Sequence, residues 1–318
     1  MQSIKLKAFA QSIIKLSQKD KYLISISGPT ASGKTGLSVF LAKALNTEIL
    51  SCDSRQFFKE MKIGTAVPTV EEMAGVPHHF IGHLSIFDNY SVGDFERDAI
   101  QKIKELFQVY DCLMMVGGSG LYEKAVTDGL DEFPEIDKKF RQELNKEYEE
   151  NGLEKLQQEL KISDPEYYNT AAIDNQVRVI RALEVFRATG QKFSSFRTRK
   201  KVERNFKLIK IGLELPREEL YDRINQRVDL MMDSGLLEEA EKLYTHKELN
   251  SLQTVGYREF FDFMDGKTDL ETAVSEIKKN SRRYAKRQMT WYRKDERINW
   301  FSPFEKEKIL EFVESEIY

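Results

Sequence analysis

Residues Gly28, Pro29, Thr30, Ala31, Ser32, Gly33, Lys34 and Thr35 follow the spacing GxxxxGK[ST]. At average residue frequencies a chain of this length would contain that spacing by chance about one time in a hundred. The glycines let successive backbone N–H groups turn inward around phosphate oxygens, and a helix opening there adds partial positive charge. Lys34 supplies a point cation, and the Thr35 hydroxyl can ligate a phosphate-bound Mg2+. The loop is thus expected to hold a diphosphate or triphosphate. Two more residues could act on such a ligand. Asp53 closes an apolar run and can serve as a proton acceptor or a metal ligand, with a helix cap or loop ion pair as the structural alternative. Ser119 lies in Gly117-Gly118-Ser119-Gly120, where its hydroxyl can hydrogen-bond a departing oxygen or simply serve the turn. A kinase or NTPase would offer an apolar strand ending in a Mg2+-holding Asp, whereas Leu113–Val116 runs into glycine and serine. These residues alone leave phosphoryl transfer and transfer from a diphosphate both open.

The elements that must carry these residues are legible from periodicity. Tyr22–Ser27 is a short apolar run ending at Gly28, which predicts a buried parallel strand. Thr35–Asn46 follows as a helix with Leu37, Phe40, Leu41 and Leu45 on one face. Glu48–Cys52 reads as a second strand, Val92–Gln108 as an amphipathic helix and Cys112–Val116 as a third strand. Alternation of strand and helix predicts an α/β fold, a P-loop core with a parallel sheet. The carboxyl ends of neighbouring parallel strands face one crevice, so the 28–35 loop, Asp53 and Ser119 are expected around one ligand. Between residues 126 and 199 helical spacing prevails (Phe140, Leu144, Tyr148; Leu183, Phe186), which predicts an all-helical insertion domain. Phe206–Leu213 then reads as a strand that rejoins the core, and the last third is helical with a late strand at Ile298–Phe301. The expected organisation is core 1–125, insertion 126–199, and core 200–318 with a basic C-terminal helix.

Net charge is −3, so binding of nucleic acid needs local clustering of cations. Lys278, Lys279, Arg282, Arg283, Lys286, Arg287, Arg293 and Lys294 occur without an intervening acid and are interleaved with Tyr284, Trp291 and Tyr292. On a helix they form a broad cationic face, and its single sign favours nucleic acid over an ordinary solvated surface. Arg178, Arg181 and Arg187 form a second, weaker cluster. His78, His79 and His83 lie among Gly75, Pro77 and Gly82 and read as a loop, because no Cys or carboxylate stands at ligand spacing. Cys52 and Cys112 lack CxxC spacing, and no apolar run approaches the ~20 residues that span a bilayer. A cytoplasmic protein without membrane association fits. The first twenty residues carry lysines but no arginine and no cleavage-like site, and read as a short extension or first helix.

The order of the short segments carries a family resemblance. Gly28–Thr35 (GPTASGKT), Ser51–Gln56 (SCDSRQ), Gly64–Ala66 (GTA), Val76–His79 (VPHH), Val116–Tyr122 (VGGSGLY), Ile180–Val185 (IRALEV), Val255–Glu259 (VGYRE) and Ala285–Arg293 (AKRQMTWYR) follow one another along the chain. From about residue 22 to 301 it resembles the tRNA dimethylallyltransferase family. The resemblance implies a P-loop core with a helical insertion that takes dimethylallyl diphosphate and Mg2+. It implies transfer to the exocyclic amine of the adenine immediately 3′ of the anticodon, in the anticodon stem-loop of tRNA. By the same resemblance Asp53 is the general base, Ser119 stands where a threonine usually meets the bridging oxygen, and Gly28–Thr35, with Lys34, hold the diphosphate. Segments that touch tRNA in the family correspond to Asp53, Ser54, Arg55 and Gln56, to Ser119 and Arg141, and to Val177, Arg178, Val179, Ile180 and Arg181. Further such positions are Gln253, Thr254, Val255, Gly256, Tyr257 and Arg258, then Lys286, Arg287, Gln288, Trp291 and Arg293. Ser119 departs from the pattern by lacking a rotamer-fixing methyl, and Val67 replaces the usual lysine. A monomer is expected. Transfer to free adenine nucleotide, and a small-molecule kinase, are the alternative readings.

Overall fold

A computed structural model describes residues 20–198 and 202–318. The extension expected for the first twenty residues lies outside them except for Asp20, as does the boundary residue Arg199. The described residues divide into two compact units, one of residues 20–127 with 204–318 and one of residues 128–198 with 202–203.

The first unit is built on six strands: β1 (Tyr22–Ser27), β2 (Ile49–Ser51), β3 (His78–His79), β4 (Cys112–Val116), β5 (Lys207–Leu213) and β6 (Ile298–Phe301). They lie in the order β3-β2-β4-β1-β5-β6, and every pairing is parallel. β1 is buried along its whole length, as a central parallel strand covered on both faces must be. His78–His79, expected as loop, instead forms the short edge strand β3 beside β2. Before the second unit come helices α1 (Lys34–Ala44), α2 (Val70–Met73), α3 (Val92–Leu106) and α4 (Gly120–Asp128). α1 stops two residues early because Asn46 takes a left-handed φ of 48°. Ser91 and Asp94 cap α3 reciprocally.

Alternation along the strands separates two cores. Ile24, Ile26, Ile49, Met114, Ile209 and Ile211 face Leu37 and Leu41 of α1, while Leu23, Leu50, Leu113 and Met115 face Phe95, Ala99 and Ile103 of α3. Each such side chain contributes about 1.5–3 kcal/mol on full burial, which fixes the strand register and hence the level at which the strands end.

The second unit is all helical: α5 (Lys138–Asn151), α6 (Leu153–Ser163), α7 (Pro165–Thr170), α8 (Gln176–Thr189) and α9 (Phe193–Phe196). Its core is Leu144, Leu156, Leu160, Tyr167, Val179, Ile180, Ala182 and Leu183. Buried Asp164 accepts hydrogen bonds from Tyr167 N and Ser194 N, which ties α7 to α9.

The first unit continues with α10 (Arg217–Asp233), α11 (Leu236–Leu243), α12 (Arg258–Met264), α13 (Leu270–Tyr292) and α14 (Lys306–Ile317). α10 to α13 share a core of Val228, Leu236, Ala240, Leu243, Tyr257, Phe260, Phe261, Ala273 and Ile277, while Ile309 and Val313 of α14 join the α1 side of the sheet.

Candidate functional site

The carboxyl end of β1 leads directly into Gly28. Gly33, with φ 88°, occupies the left-handed region that disfavours side chains and turns the loop into α1. No side chain caps α1, so its first N–H groups and the positive end of its dipole face the loop. Ser32 is fully buried, and its Oγ has no partner among the described residues.

Lys34 Nζ donates to the carbonyls of Gly28 (3.0 Å) and Pro29 (2.7 Å). Burial pulls its pKa down to about 8, against the raising effect of Asp53 and with a further lowering by Arg227. Arg227, from α10, is not marked by any motif in the sequence. Its guanidinium donates to Thr30 Oγ1 (3.0 Å), and burial lowers its pKa against the pull of Asp53. A sequence signal did exist: Leu220, Ile224 and Val228 mark the buried face of α10, and Arg227 lies beside them. A cation on such a face needs an anion. Lys34 and Arg227 thus form a half-buried pair of cations, next to one carboxylate.

That carboxylate is Asp53, just beyond β2. Its Oδ1 accepts from Arg55 N (3.2 Å), and its own N–H reaches Ser51 Oγ (3.3 Å). β2, β4 and β1 are neighbours in register, with Ser51 and Ile26 both level with Val116, so Asp53, Gly117 and Gly28 emerge along one edge. Ser119 Oγ accepts from Ser54 N (3.1 Å) and pairs with Ser54 Oγ (3.0 Å). Burial raises the phenol pKa of Tyr284, on α13, helped by Asp53. The phosphate loop, Asp53 and Ser119 are therefore together. Arg55 does not point outward: burial lowers its pKa, and it donates to the carbonyls of Asn250 (3.0 Å) and Ser251 (2.8 Å). Gln56 likewise donates to Thr65 and Ala66.

A buried ionic cluster braces this edge from below. Glu123 of α4 accepts from Ser25 (2.9 Å), Ser27 (2.7 Å) and Lys210 (2.8 Å), and Lys210 also meets Asp295 (2.9 Å). Burial alone would lower the Lys210 pKa, but Glu123 and Asp295 outweigh it and leave it raised. The cluster ties the end of β1 to the helix that follows Ser119.

The expected RNA-contacting residues divide by exposure. On α13, Lys286, Arg287 and Trp291 are exposed, as is Arg293, which is 3.5 Å from Glu214. Gln288 is buried, however, and bonds within the protein, so it offers RNA no free group. The basic run lacks acids only in sequence. In space Lys278 pairs with Asp229 of α10 (2.6 Å) and Lys279 with Glu276 (2.7 Å), which shifts the usable positive charge toward the end of α13. Gln253 and Arg258 are exposed, but Gly256 is buried, Val255 packs on the helical core, and Tyr257 is fully buried with its hydroxyl on Glu239 (2.7 Å). Gly256 and Tyr257 shape this turn from inside. One cleft of this unit, about 520 Å³, is lined by Gln253, Arg258 and several acids, holds none of the phosphate-loop residues, and has its lysines spent on Asp262 and Asp265.

In the second unit Val177 and Arg178 are exposed, whereas the side chains of Val179 and Ile180 are buried in the core under α8. Arg141 (3.2 Å) and Arg181 (2.8 Å) share Glu184 while keeping part of their surface free. Arg187 does not belong to a cationic patch: it is locked between Glu147 and Glu159, whose hydrogen bonds raise its pKa.

Among the described residues no cluster of three or more His, Cys, Asp or Glu could hold a metal. His78 Nδ1 donates to Val76 O (2.8 Å), His79 meets Glu48 (2.7 Å), and His83 packs edge-on against Phe57. Thr35, Asp53, Ser38 and Ser51 do line one small cleft with Lys34 and Gln56. These hard oxygen donors suit a Mg2+ already carried by phosphate oxygens, and a softer metal less well. Among the described residues no helix is long and apolar enough to cross a membrane.

Residues 56 to 295 match the family model described as IPP transferase. The chain is 61% identical over 297 residues to the tRNA dimethylallyltransferase of Christiangramia forsetii, covering 93% of this chain and 98% of that one. It is 52% identical to the same enzyme of Flavobacterium psychrophilum, covering 93% and 99%. The crystal structure of a full-length tRNA isopentenylpyrophosphate transferase from Bacillus halodurans superposes with a TM-score of 0.70 at 40% identity, covering 94% and 97%. A eukaryotic dimethylallyltransferase captured acting on tRNA superposes with a TM-score of 0.71 at 28% identity, covering 85% and 69%.

Proposed function

Because the chain belongs to the IPP transferase family, we infer that it transfers a dimethylallyl group from dimethylallyl diphosphate to tRNA and releases pyrophosphate. It is a prenyltransferase with a P-loop-type core. The acceptor we propose is the exocyclic amine of the adenine 3′ of the anticodon. The observation that carries this reading is the pair of half-buried cations, Lys34 and Arg227, beside the single carboxylate of Asp53.

The mechanism follows from that arrangement. The diphosphate lies against the loop 28–35, where uncapped N–H groups, Lys34 and Arg227 share its charge. As the allylic C–O bond lengthens, charge grows on the leaving diphosphate, and fixed donors in a low-dielectric pocket stabilise that charge more than they stabilise the bound substrate. The Ser119 hydroxyl donates to the bridging oxygen. The adenine amine forms the new C–N bond with the allylic carbon, and Asp53 takes the proton it gives up. Thr35, with Asp53 across the cleft, is the residue we assign to Mg2+, which when bound supplies further neutralisation of the diphosphate. An adenine must leave its stack to reach this pocket. Exposed Lys286 and Arg287 on α13, and Arg178 with Arg181 in the helical unit, are the cations we propose for the RNA backbone. A cytoplasmic monomer accords with tRNA as substrate.

Another acceptor is open on the residues of the cleft alone. Transfer to free adenine nucleotide leaves the cations of α13 and α8 without a role, and relatives matched over more than nine-tenths of their length are named for tRNA. Competition between tRNA and AMP, ADP or ATP for a limiting allylic donor tests this. Only tRNA should gain a C5H8 unit; prenylated nucleotide with unmodified tRNA would refute the reading.

A further inference from the structure

We propose that Gln288 is a positioning residue that sets the spacing between the diphosphate loop and the Ser119 loop. The proposal rests on the reaction assigned above. Gln288 is 6% exposed and projects from α13 between the two loops. Its Oε1 accepts from Thr30 N (2.9 Å), and its Nε2 donates to Gly118 O (2.8 Å). One side-chain amide thus spans groups that lie in different turns beyond β1 and β4. The approach is close: a Cβ on Gly118 would stand 2.4 Å from the Gln288 nitrogen, so a side chain there would displace the amide that joins the two loops.

The neighbours on the same helix face point to the same two loops. One turn later the Tyr292 hydroxyl is 3.5 Å from Gly117 O, and Trp291 lies so close to Gly120 that a Cβ there would stand 2.2 Å from its indole nitrogen. Thr30 is held from both sides, its N–H by Gln288 and its hydroxyl by Arg227. With the Thr30 N–H spent on Gln288, the loop presents its remaining donors to the diphosphate in one fixed arrangement. The other half of the amide holds Gly118, and therefore the hydroxyl of Ser119, at a set distance from that arrangement. An amide fits both ends whatever the pH, since Thr30 N needs an acceptor and Gly118 O needs a donor.

The two halves can be separated. Gln288→Met keeps the length and loses both bonds. Inorganic pyrophosphate, titrated calorimetrically, should bind about tenfold more weakly, while affinity for an anticodon stem-loop and the melting temperature stay near those of the unsubstituted protein. Gln288→Glu keeps the acceptor for Thr30 but sets a carboxylate against the Gly118 carbonyl. Pyrophosphate affinity should then hold within threefold at pH 8 while kcat falls about tenfold, with KM for tRNA unchanged. Relative to the unsubstituted protein, that loss should shrink as pH falls, because the protonated carboxyl regains a donor. Unchanged pyrophosphate affinity in the Met variant, or a Glu variant whose relative rate ignores pH, would overturn the proposal. So would weakened stem-loop binding with pyrophosphate unaffected. The pyrophosphate titration decides even if the assigned transfer fails, and the Glu variant decides if the Met variant does not fold.

Discussion

Arg227→Met removes one of the two half-buried cations beside Asp53 and keeps most of the apolar stem. The guanidinium holds Thr30 Oγ1 at 3.0 Å and lies close enough to Lys34 to depress its pKa. Losing one member of a desolvated charge pair costs about 2–5 kcal/mol, and a cost of about 3 kcal/mol, in the lower half of that range, weakens diphosphate binding ~150-fold. The same substitution relieves Lys34. Burial holds that ammonium at about 8, and without the repulsion from Arg227 it stays charged to higher pH. At pH 7 Lys34 is largely protonated in both proteins, so the whole effect of Arg227 is seen. At pH 9 the original protein has lost much of its Lys34 charge before binding, whereas the variant keeps more, so the difference narrows. Calorimetric titration of pyrophosphate at pH 7, 8 and 9 measures both effects. A loss under threefold at pH 7, or a loss that grows with pH, would refute the shared role of the two cations.

Lys34 should impose its own pH dependence on the unsubstituted protein: a bound dianion raises its pKa above about 8, binding takes up a proton, and affinity falls by up to tenfold per unit as pH climbs past 8. Lys34→Met should flatten that part of the curve, and a profile identical in both proteins would contradict it. Lys286→Ala with Arg287→Ala should weaken stem-loop binding and lower the slope of log affinity against log salt by about two, one for each phosphate no longer neutralised, as read by fluorescence anisotropy. Arg187→Met should leave RNA affinity intact but strand Glu147 and Glu159, costing the helical unit about 2 kcal/mol with partial solvent screening, visible as earlier thermal unfolding.

The parallel sheet and the phosphate loop were legible because both are local. Apolar runs of fixed length end at Gly28, Asp53 and Gly117, and parallel packing brings those ends to one edge whatever lies between. The far side of the site was not legible in that way. Arg227, Tyr284 and Gln288 come from helices more than a hundred residues later, and a polar residue in an amphipathic helix resembles any surface residue until its face is known. Faces could have been counted: Ala285, Gln288 and Tyr292 share the buried stripe of α13, as Leu220 and Ile224 share theirs with the neighbourhood of Arg227. Lys210, in the middle of an apolar central strand, carried the same signal and answers to Glu123. Charge runs misled for the opposite reason. Lys278 and Arg187 look free along the chain but meet Asp229, Glu147 and Glu159 across helix interfaces that a linear reading does not see.

The most direct test incubates tRNA with the protein and dimethylallyl diphosphate, then digests the RNA and measures nucleoside masses. The protein with Asp53 intact should add one C5H8 unit to an adenosine beside the anticodon, and Asp53→Ala should slow this at least ~100-fold while still binding tRNA. Unmodified adenosine with the intact protein, or a full rate from Asp53→Ala, would contradict the chemistry assigned to this cleft.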